Sequence, residues 1–373
     1  MTRQISAGGV LIGGGAPVTV QSMCDTDTRD AEATLSQIRD LHAAGCDLVR
    51  VAVPDADAAE ALRDIVRGSP LPVVADIHFD YKLAVRAAEN GAAKVRVNPG
   101  NIGSKERVRE VARACGERKI PIRIGVNGGS VKRALIEKHG LREAMLRSGL
   151  EQAAILEDMG FTGICLSFKA SGVADTVAVN RMAAERTDLP LHLGVTEAGT
   201  GYHGLIKSAA GIGALLLDGI GDTIRVSLTA PPVEEARAGI ALLKAVGLRT
   251  GGVEIISCPT CARRGIDVAA LARAAEERLS GIRAPLKVAV MGCAVNGPGE
   301  ARDADIGVAG WRGARPNARL SGLRDEGHSP AHEGDALLFR KGEAVRIIRE
   351  DEILEALVTE ARGMAGELPQ PRD

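Results

Sequence analysis

From Val18 to about Val246 short β-branched runs alternate with amphipathic stretches rich in Ala, Glu, Arg and Leu. The strand-like runs are Val18–Met23, Leu48–Val53, Val73–His78, Lys94–Asn98, Ile122–Asn127, Ile164–Lys169, Leu191–Thr196 and Ile224–Leu228. A helical stretch follows each, for example Asp30–Ala44 and Val233–Val246. Eight βα units over roughly 230 residues match the size of a TIM (β/α)8 barrel, with a doubly wound sheet as the competitor.

Side-chain parity separates the two, because successive strand residues point to opposite faces. One parity is apolar in nearly every run: Val49, Val51 and Val53; Val95 and Val97; Ile122, Ile124 and Val126; Ile164, Leu166 and Phe168; Leu191, Leu193 and Val195; Ile224, Val226 and Leu228. That face fits under helices. The other carries Gln21 and Met23, Arg50, Asp76 and His78, Arg96 and Asn98, Arg123 and Asn127, Ser167 and Lys169, Thr196, and Arg225 and Ser227. Strands of a doubly wound sheet are covered on both faces and read as continuous apolar runs. Strands whose second face turns polar toward the C-terminal end suit a barrel whose mouth is an active site.

Arg50, Arg96, Arg123, Lys169 and Arg225 are cations inside or closing apolar runs, all on the inward parity. Asp76 and Glu197 neutralise at most two, which leaves a pocket of roughly +3. Guanidinium forks match phosphate oxygens, so the expected ligand is a small polyphosphorylated molecule, a diphosphate before a monophosphate. The bland alternative, internal salt bridges, lacks inward acids. His78, on the same face as Asp76, and Glu197, in the turn Thr196-Glu197-Ala198-Gly199, are candidate proton donors beside the cations.

Two regions flank the barrel. Residues 1–17, with Gly8-Gly9 and Gly13-Gly14-Gly15 around Val10-Leu11-Ile12, read as a small hairpin; no helix follows the glycines as a phosphate loop requires. The Gly pair after Arg249-Thr250 divides a barrel domain, residues 1–250, from a smaller α+β domain, residues 251–362, with 363–373 a frayed tail. In the second domain Val253–Ser257, Leu286–Met291 and Asp305–Val308 read as strands. Asp267–Leu279 and Glu352–Arg362 read as helices, and Ala336–Phe339 and Val345–Ile348 as a hairpin after a surface loop Gly310–Gly334 that holds Trp311 and His328.

That domain contains Cys258-Pro259-Thr260-Cys261, then Cys293 after an apolar run, then Glu300 in Asn296-Gly297-Pro298-Gly299-Glu300. Three sulfurs and a carboxylate can close one tetrahedral metal site. Zinc, an iron–sulfur cluster and a redox disulfide all use this spacing. A carboxylate is a poor permanent fourth ligand for an iron–sulfur cluster, which makes it a replaceable one. Cys24, Cys46, Cys115 and Cys165 lack mutual spacing and read as buried small hydrophobes.

Composition narrows the classes. A net charge of -1 gives no hint of nucleic acid or membrane, and 2% aromatic residues argue against stacking platforms for single strands. The longest apolar runs fall short of the roughly 20 residues of a membrane span, the N-terminus lacks a signal peptide's pattern, and seven scattered Cys suit reduced thiols. A cytoplasmic protein is expected.

The runs Val20-Gln21-Ser22-Met23, Ala75-Asp76-Ile77-His78-Phe79-Asp80-Tyr81, Arg96-Val97-Asn98-Pro99-Gly100-Asn101-Ile102-Gly103, Ile122-Arg123-Ile124-Gly125-Val126-Asn127, Leu193-Gly194-Val195-Thr196-Glu197-Ala198-Gly199, Gly221-Asp222-Thr223-Ile224-Arg225-Val226-Ser227-Leu228, Cys258-Pro259-Thr260-Cys261 and Asn296-Gly297-Pro298-Gly299-Glu300 occur in order from about residue 18 to 308. Together they resemble the bacterial 4-hydroxy-3-methylbut-2-enyl diphosphate synthase family. The resemblance implies a homodimer with an inter-subunit active site, and a second domain similar to the ferredoxin-like part of nitrite and sulfite reductases. It implies a [4Fe–4S] cluster on Cys258, Cys261, Cys293 and Glu300, and reduced ferredoxin or flavodoxin as electron donor. The implied substrate is 2-C-methyl-D-erythritol 2,4-cyclodiphosphate, a step of the non-mevalonate isoprenoid pathway. By motif match Arg50, Arg96, Arg123, Asn127, Lys169, Arg225 and Ser227 hold the diphosphate, while Asp76, His78, Thr196 and Glu197 lie near the reacting carbons.

Three positions depart from the family pattern: Cys24-Asp25 stands where Thr-Asn is expected, and Gly172 where Asp is expected. Two other classes compete. A phosphosugar lyase or aldolase would use Lys169 as a Schiff-base nucleophile with a structural zinc tail, and a cluster-bearing redox regulator would need no cationic mouth.

Overall fold

The fold comes from a computed structural model that describes residues 1–97, 105–311 and 334–367. Asn98, residues 312–333 of the expected loop with His328, and the tail 368–373 lie outside the described residues. Contacts divide the chain into Met1–Arg249 and Thr250–Asp373.

In the first unit a short hairpin, β1 (Ile5–Ala7) and β2 (Val10–Ile12), precedes an eight-stranded parallel sheet. Its strands are β3 (Thr19–Met23), β4 (Leu48–Ala52), β5 (Val73–Ile77), β6 (Lys94–Val97), β7 (Ile122–Asn127), β8 (Ile164–Lys169), β9 (His192–Leu193) and β10 (Thr223–Ile224). They follow the order β8-β7-β6-β5-β4-β3-β10-β9, and a parallel bridge from Leu166 to Leu191 joins the two ends. The ring is therefore closed, and the expectation of a barrel rather than a doubly wound sheet is borne out.

The apolar parity lies under the helices. Val49, Val51, Val95, Ile122, Ile124, Ile164, Leu166 and Ile224 join one large core with helix residues such as Ile38, Leu62, Met145 and Leu243. Helices enter from capped turns at the C-terminal ends of the strands. The Asp30, Asp55 and Asp80 side chains accept the amides of Ala33, Ala58 and Lys82 at 3.0, 2.9 and 2.9 Å. At the opposite end the hairpin plugs the barrel, with Ile5, Ala7 and Ile12 packed on Leu48, Val74 and Cys165.

Two expectations of this unit need correction. β9 and β10 hold two residues each, against the six and five expected. The ladder ends early because the chain turns out toward the mouth: the Thr196 amide donates to the Ala170 carbonyl at 3.2 Å, and Glu197 takes φ 53°. The link from β7 to β8 holds two helices, Arg133–His139 and Leu141–Glu157, parted by Gly140 at φ 76°.

The second unit is a five-stranded mixed sheet in chain order. β11 (Val253–Ser257), β12 (Leu286–Met291) and β13 (Ile306–Gly310) run parallel, and β14 (Ala336–Arg340) and β15 (Glu343–Ile348) are antiparallel. Val288, Val290, Val308 and Leu338 pack beneath the helices Val268–Leu279 and Ile353–Glu367. The last helix reaches Glu367, five residues past the expected Arg362, so residues 363–367 are helical rather than frayed. The other sheet face carries Ala289, Met291, Ala309 and Phe339 under Ala301 and Ala304, and Cys258 packs against that cluster. Among the described residues no helix is long and apolar enough to cross a membrane.

Candidate functional site

The barrel mouth is built around one carboxylate. Asp76, at the end of β5 and 2% exposed, accepts a hydrogen bond from Arg96 Nη1 at 2.9 Å on Oδ1. Its Oδ2 lies 3.7 Å from Arg50 Nε and 3.4 Å from His78 Nε2. Parallel pairing makes this possible, since Asp76 and Arg96 are register partners on β5 and β6. Burial pushes the Asp76 carboxyl up, but Arg50, His78, Arg96 and Arg123 together outweigh it and hold the group far below the usual carboxylate range.

The cations outnumber their partners. Arg50 donates to Met23 Sδ from Nε and Nη2 at 3.0 and 2.8 Å, a weak acceptor for a guanidinium. Arg123 and Lys169 have no ion pair among the described residues, although only 1% and 7% of their surfaces are exposed. Burial first, then the neighbouring arginines, lowers Arg123 to about 10 and pulls Lys169 well below its ordinary range. Asp76 offsets part of the Arg123 shift but not the burial and the neighbouring cations.

Two glycines make room for this layer. A Cβ on Gly125 would stand 2.8 Å from Arg96 Nε, and one on Gly194 would stand 2.7 Å from Lys169 Nζ and 2.8 Å from the Arg225 carbonyl. Only hydrogen fits at either position.

Sequence reasoning missed Glu235. It lies in the first turn of the helix Pro232–Ala245, is buried, and stands 3.2 Å from Arg225 Nη2 while accepting the Ser22 hydroxyl and the Leu228 amide at 3.2 and 2.9 Å. The signal available was an acidic residue in a helix's first turn, which ordinarily reads as a dipole partner. Glu197, expected to neutralise a cation, is instead exposed in a left-handed backbone conformation that a non-glycine residue adopts only at a cost. It projects from the β9 end of the barrel. His78 is exposed beside Phe79, whereas Asn127, Thr196 and Ser227 are half-buried at their strand ends.

The three departures from the family pattern are absorbed locally. Cys24 is buried with its thiol pushed up to about 12 by burial, and Asp25 accepts from the Gln37 side chain at 2.5 Å. Gly172 caps the helix Val173–Arg186, its carbonyl accepting the Thr176 hydroxyl at 3.0 Å. Cys46, Cys115 and Cys165 are buried, as expected of small hydrophobes.

In the second unit β11 and β12 are parallel neighbours, with Ser257 paired to Val290, so the segments bearing Cys258 and Cys293 leave the sheet at the same end. The Gly292 amide donates to Cys258 Sγ at 3.1 Å. Arg263 binds Cys261 and also feels the charges of Cys293 and Glu300; its amide and guanidinium hold the Cys261 thiol below its ordinary range. Cys261 and Glu300 are exposed and Cys293 is half-buried. Among the described residues no three Cys, His, Asp or Glu side chains close on one metal position. The donors still fit an iron–sulfur cluster chemically, because three thiols, a carboxylate and an amide aimed at a sulfur are the parts such a site uses.

A family model described as the GcpE TIM-barrel domain matches residues 2–240, and the GcpE protein C-terminal domain matches residues 254–320. A 4-hydroxy-3-methylbut-2-en-1-yl diphosphate synthase (flavodoxin) of Geobacter sulfurreducens is 53% identical over 368 residues, covering 98% of this chain and 98% of the relative. Its namesake in Clostridium perfringens is 50% identical over 359 residues, covering 96% and 97%. That of Caldanaerobacter subterraneus is 50% identical over 369 residues, covering 98% of each.

Proposed function

The chain belongs to the GcpE family, and from that premise we propose that it is a 4-hydroxy-3-methylbut-2-en-1-yl diphosphate synthase. It opens and dehydrates 2-C-methyl-D-erythritol 2,4-cyclodiphosphate to (E)-4-hydroxy-3-methylbut-2-enyl diphosphate in isoprenoid biosynthesis. The observation that carries this reading is the buried cation layer of the mouth, where among the described residues Arg123 and Lys169 have no ion pair and Arg50 shares Asp76 with Arg96 and donates to a thioether. Such a layer is complementary to a diphosphate.

In this reading Arg50, Arg96, Arg123, Lys169 and Arg225 grip the diphosphate, with Asn127 and Ser227 donating at the rim. Their charge stabilises the diphosphate oxygen as its bond to C2 breaks. Glu197, aimed outward by its strained turn, delivers a proton to the C3 oxygen, which departs as water. Thr196 and His78 orient the ring, and Asp76 keeps Arg50 and Arg96 fixed. Balance requires two electrons and one proton for each C2–C3 double bond formed. Cys258, Cys261, Cys293 and Glu300 hold a [4Fe–4S] cluster, which supplies those electrons one at a time when bound. Reduced flavodoxin is the donor, as the relatives' names state for them. The working form is a cytoplasmic homodimer in which the cluster of one subunit serves the barrel of the other.

The test is anaerobic turnover of reconstituted protein with reduced flavodoxin and the cyclic diphosphate. Linear enyl diphosphate is expected in amounts that follow flavodoxin oxidation. Oxidation without product, or an aldol cleavage product, would overturn the proposal.

A further inference from the structure

Beneath the mouth the barrel carries a second polar layer that the proposed reaction does not use. Its members sit two residues before a mouth residue on the same strand, and so one inward step deeper. Lys94 precedes Arg96, Thr223 precedes Arg225, His192 precedes Gly194 and Gln21 precedes Met23. Lys94 pairs in register with Val74, part of the apolar plug formed with Ile5 and Ile12, so the hairpin closes this layer from below. Thr19, Thr223 and His192 are consecutive partners across β3, β10 and β9.

Lys94, His192 and Thr223 are fully buried. Lys94 Nζ, both His192 ring nitrogens, both Gln21 amide atoms, the Thr19 and Thr223 hydroxyls and Arg123 Nε have no hydrogen-bond partner among the described residues. Lys94 and Arg123 lie close enough for His192 to feel their charge, and His192, Thr223 and Thr19 are register partners, so these unpaired atoms call for an occupant, because each otherwise loses its hydration without compensation.

The donors say which kind. An ammonium offers three donors and no acceptor, Arg Nε only donates, and hydroxyls, a carboxamide and a neutral imidazole adapt to either role. The charges that face Lys94 are Arg123 and Arg50, with the Cys165 thiol beside it. Those that face His192 are Arg123, Lys169, Lys94 and Arg50, and burial with these cations holds the imidazole well below its ordinary range, hence neutral. Water would satisfy the hydrogen bonds and leave the charge unbalanced. An anion does both.

We propose that this layer is a buried site for a small monovalent inorganic anion of the size of chloride, held by Lys94 and Arg123 and hydrogen-bonded by Thr19, Thr223, Gln21 and His192. It lies one inward step below the diphosphate pocket and shares only Arg123 with it. The anion fixes Lys94 as a cation and moderates the positive field that the mouth presents to its substrate.

Bromide is the probe. Crystals of the full-length protein grown in sodium bromide are expected to show anomalous density within hydrogen-bond reach of Lys94 Nζ. The Tm of the wild-type protein should rise when gluconate is exchanged for chloride at constant ionic strength, and Lys94→Met should lose that rise. Density at Lys94 that is water alone, with a Tm indifferent to halide, would overturn the site. So would bromide confined to Arg50 and Arg96, because the anion would then belong to the mouth. If Lys94→Met does not fold, the wild-type bromide map still decides.

Discussion

Arg225 and Glu235 form a mouth ion pair, the one among the described residues whose carboxylate comes from a helix rather than a strand, at 3.2 Å, and Glu235 also takes the Ser22 hydroxyl and the Leu228 amide. Its removal strands the Arg225 guanidinium and the Leu228 amide, while the Ser22 hydroxyl keeps the Pro232 carbonyl. Glu235→Ala is expected to lower stability by about 3 kcal/mol in urea unfolding. Glu235→Gln, which keeps an acceptor for Leu228, should lose less.

Arg123 presents the opposite case, a buried cation without a carboxylate. In halide-free buffer Arg123→Met should leave the substrate-free protein as stable or raise its Tm, because the cost of burying an unbalanced charge disappears. The same change should weaken binding of the cyclic diphosphate by about 2 kcal/mol, roughly 30-fold, in calorimetric titration. Stability and affinity moving together in the loss direction would count against a ligand-directed role.

Asp76 sets a pH dependence. Its folded value lies below its ordinary one, so its contribution is fully present above the ordinary carboxylate range and is lost as pH falls through the folded value. The stability difference between wild type and Asp76→Asn should therefore be constant from neutral pH down to about 4 and shrink only below it. Urea unfolding of both proteins across that range checks this.

Gly194 is a packing constraint. In Gly194→Ala the new methyl meets Lys169 Nζ and the Arg225 carbonyl. A cost of about 2 kcal/mol is expected from the overpacking. Adding Lys169→Ala should restore only part of it, since the carbonyl remains, and denaturant midpoints of the single and double variants measure the share.

The barrel was legible because parity is a local property: the inward placement of Arg50, Asp76, Arg96, Arg123 and Lys169 follows from alternation alone, and all are buried. Glu235 was not, because a carboxylate in the first turn of the helix after β10 turns back onto Arg225, ten residues earlier, only once the βα turn is folded. Lys94 and His192 lie on the same parity as Arg96 and Gly194, yet a Lys that opens a strand reads as solvated until the hairpin β1–β2 is seen to close that end. The lengths of β9 and β10 were overread because apolar residues continue past the point where the chain turns out to the mouth. The Cys258-Pro259-Thr260-Cys261 motif announced ligand chemistry, but zinc, an iron–sulfur cluster and a redox disulfide share its spacing, so the motif by itself leaves the metal open.

The proposed reaction requires that a diphosphate held by the barrel be acted on by a cluster that Cys258, Cys261, Cys293 and Glu300 would hold. Its most direct test is the anaerobic spin-resonance spectrum of the reduced protein with and without the cyclic diphosphate. The cluster signal is expected to change when the substrate is added, and in Arg123→Met to reach the same change only at roughly 30-fold higher substrate. A cluster signal identical with and without substrate in the wild-type protein would contradict it.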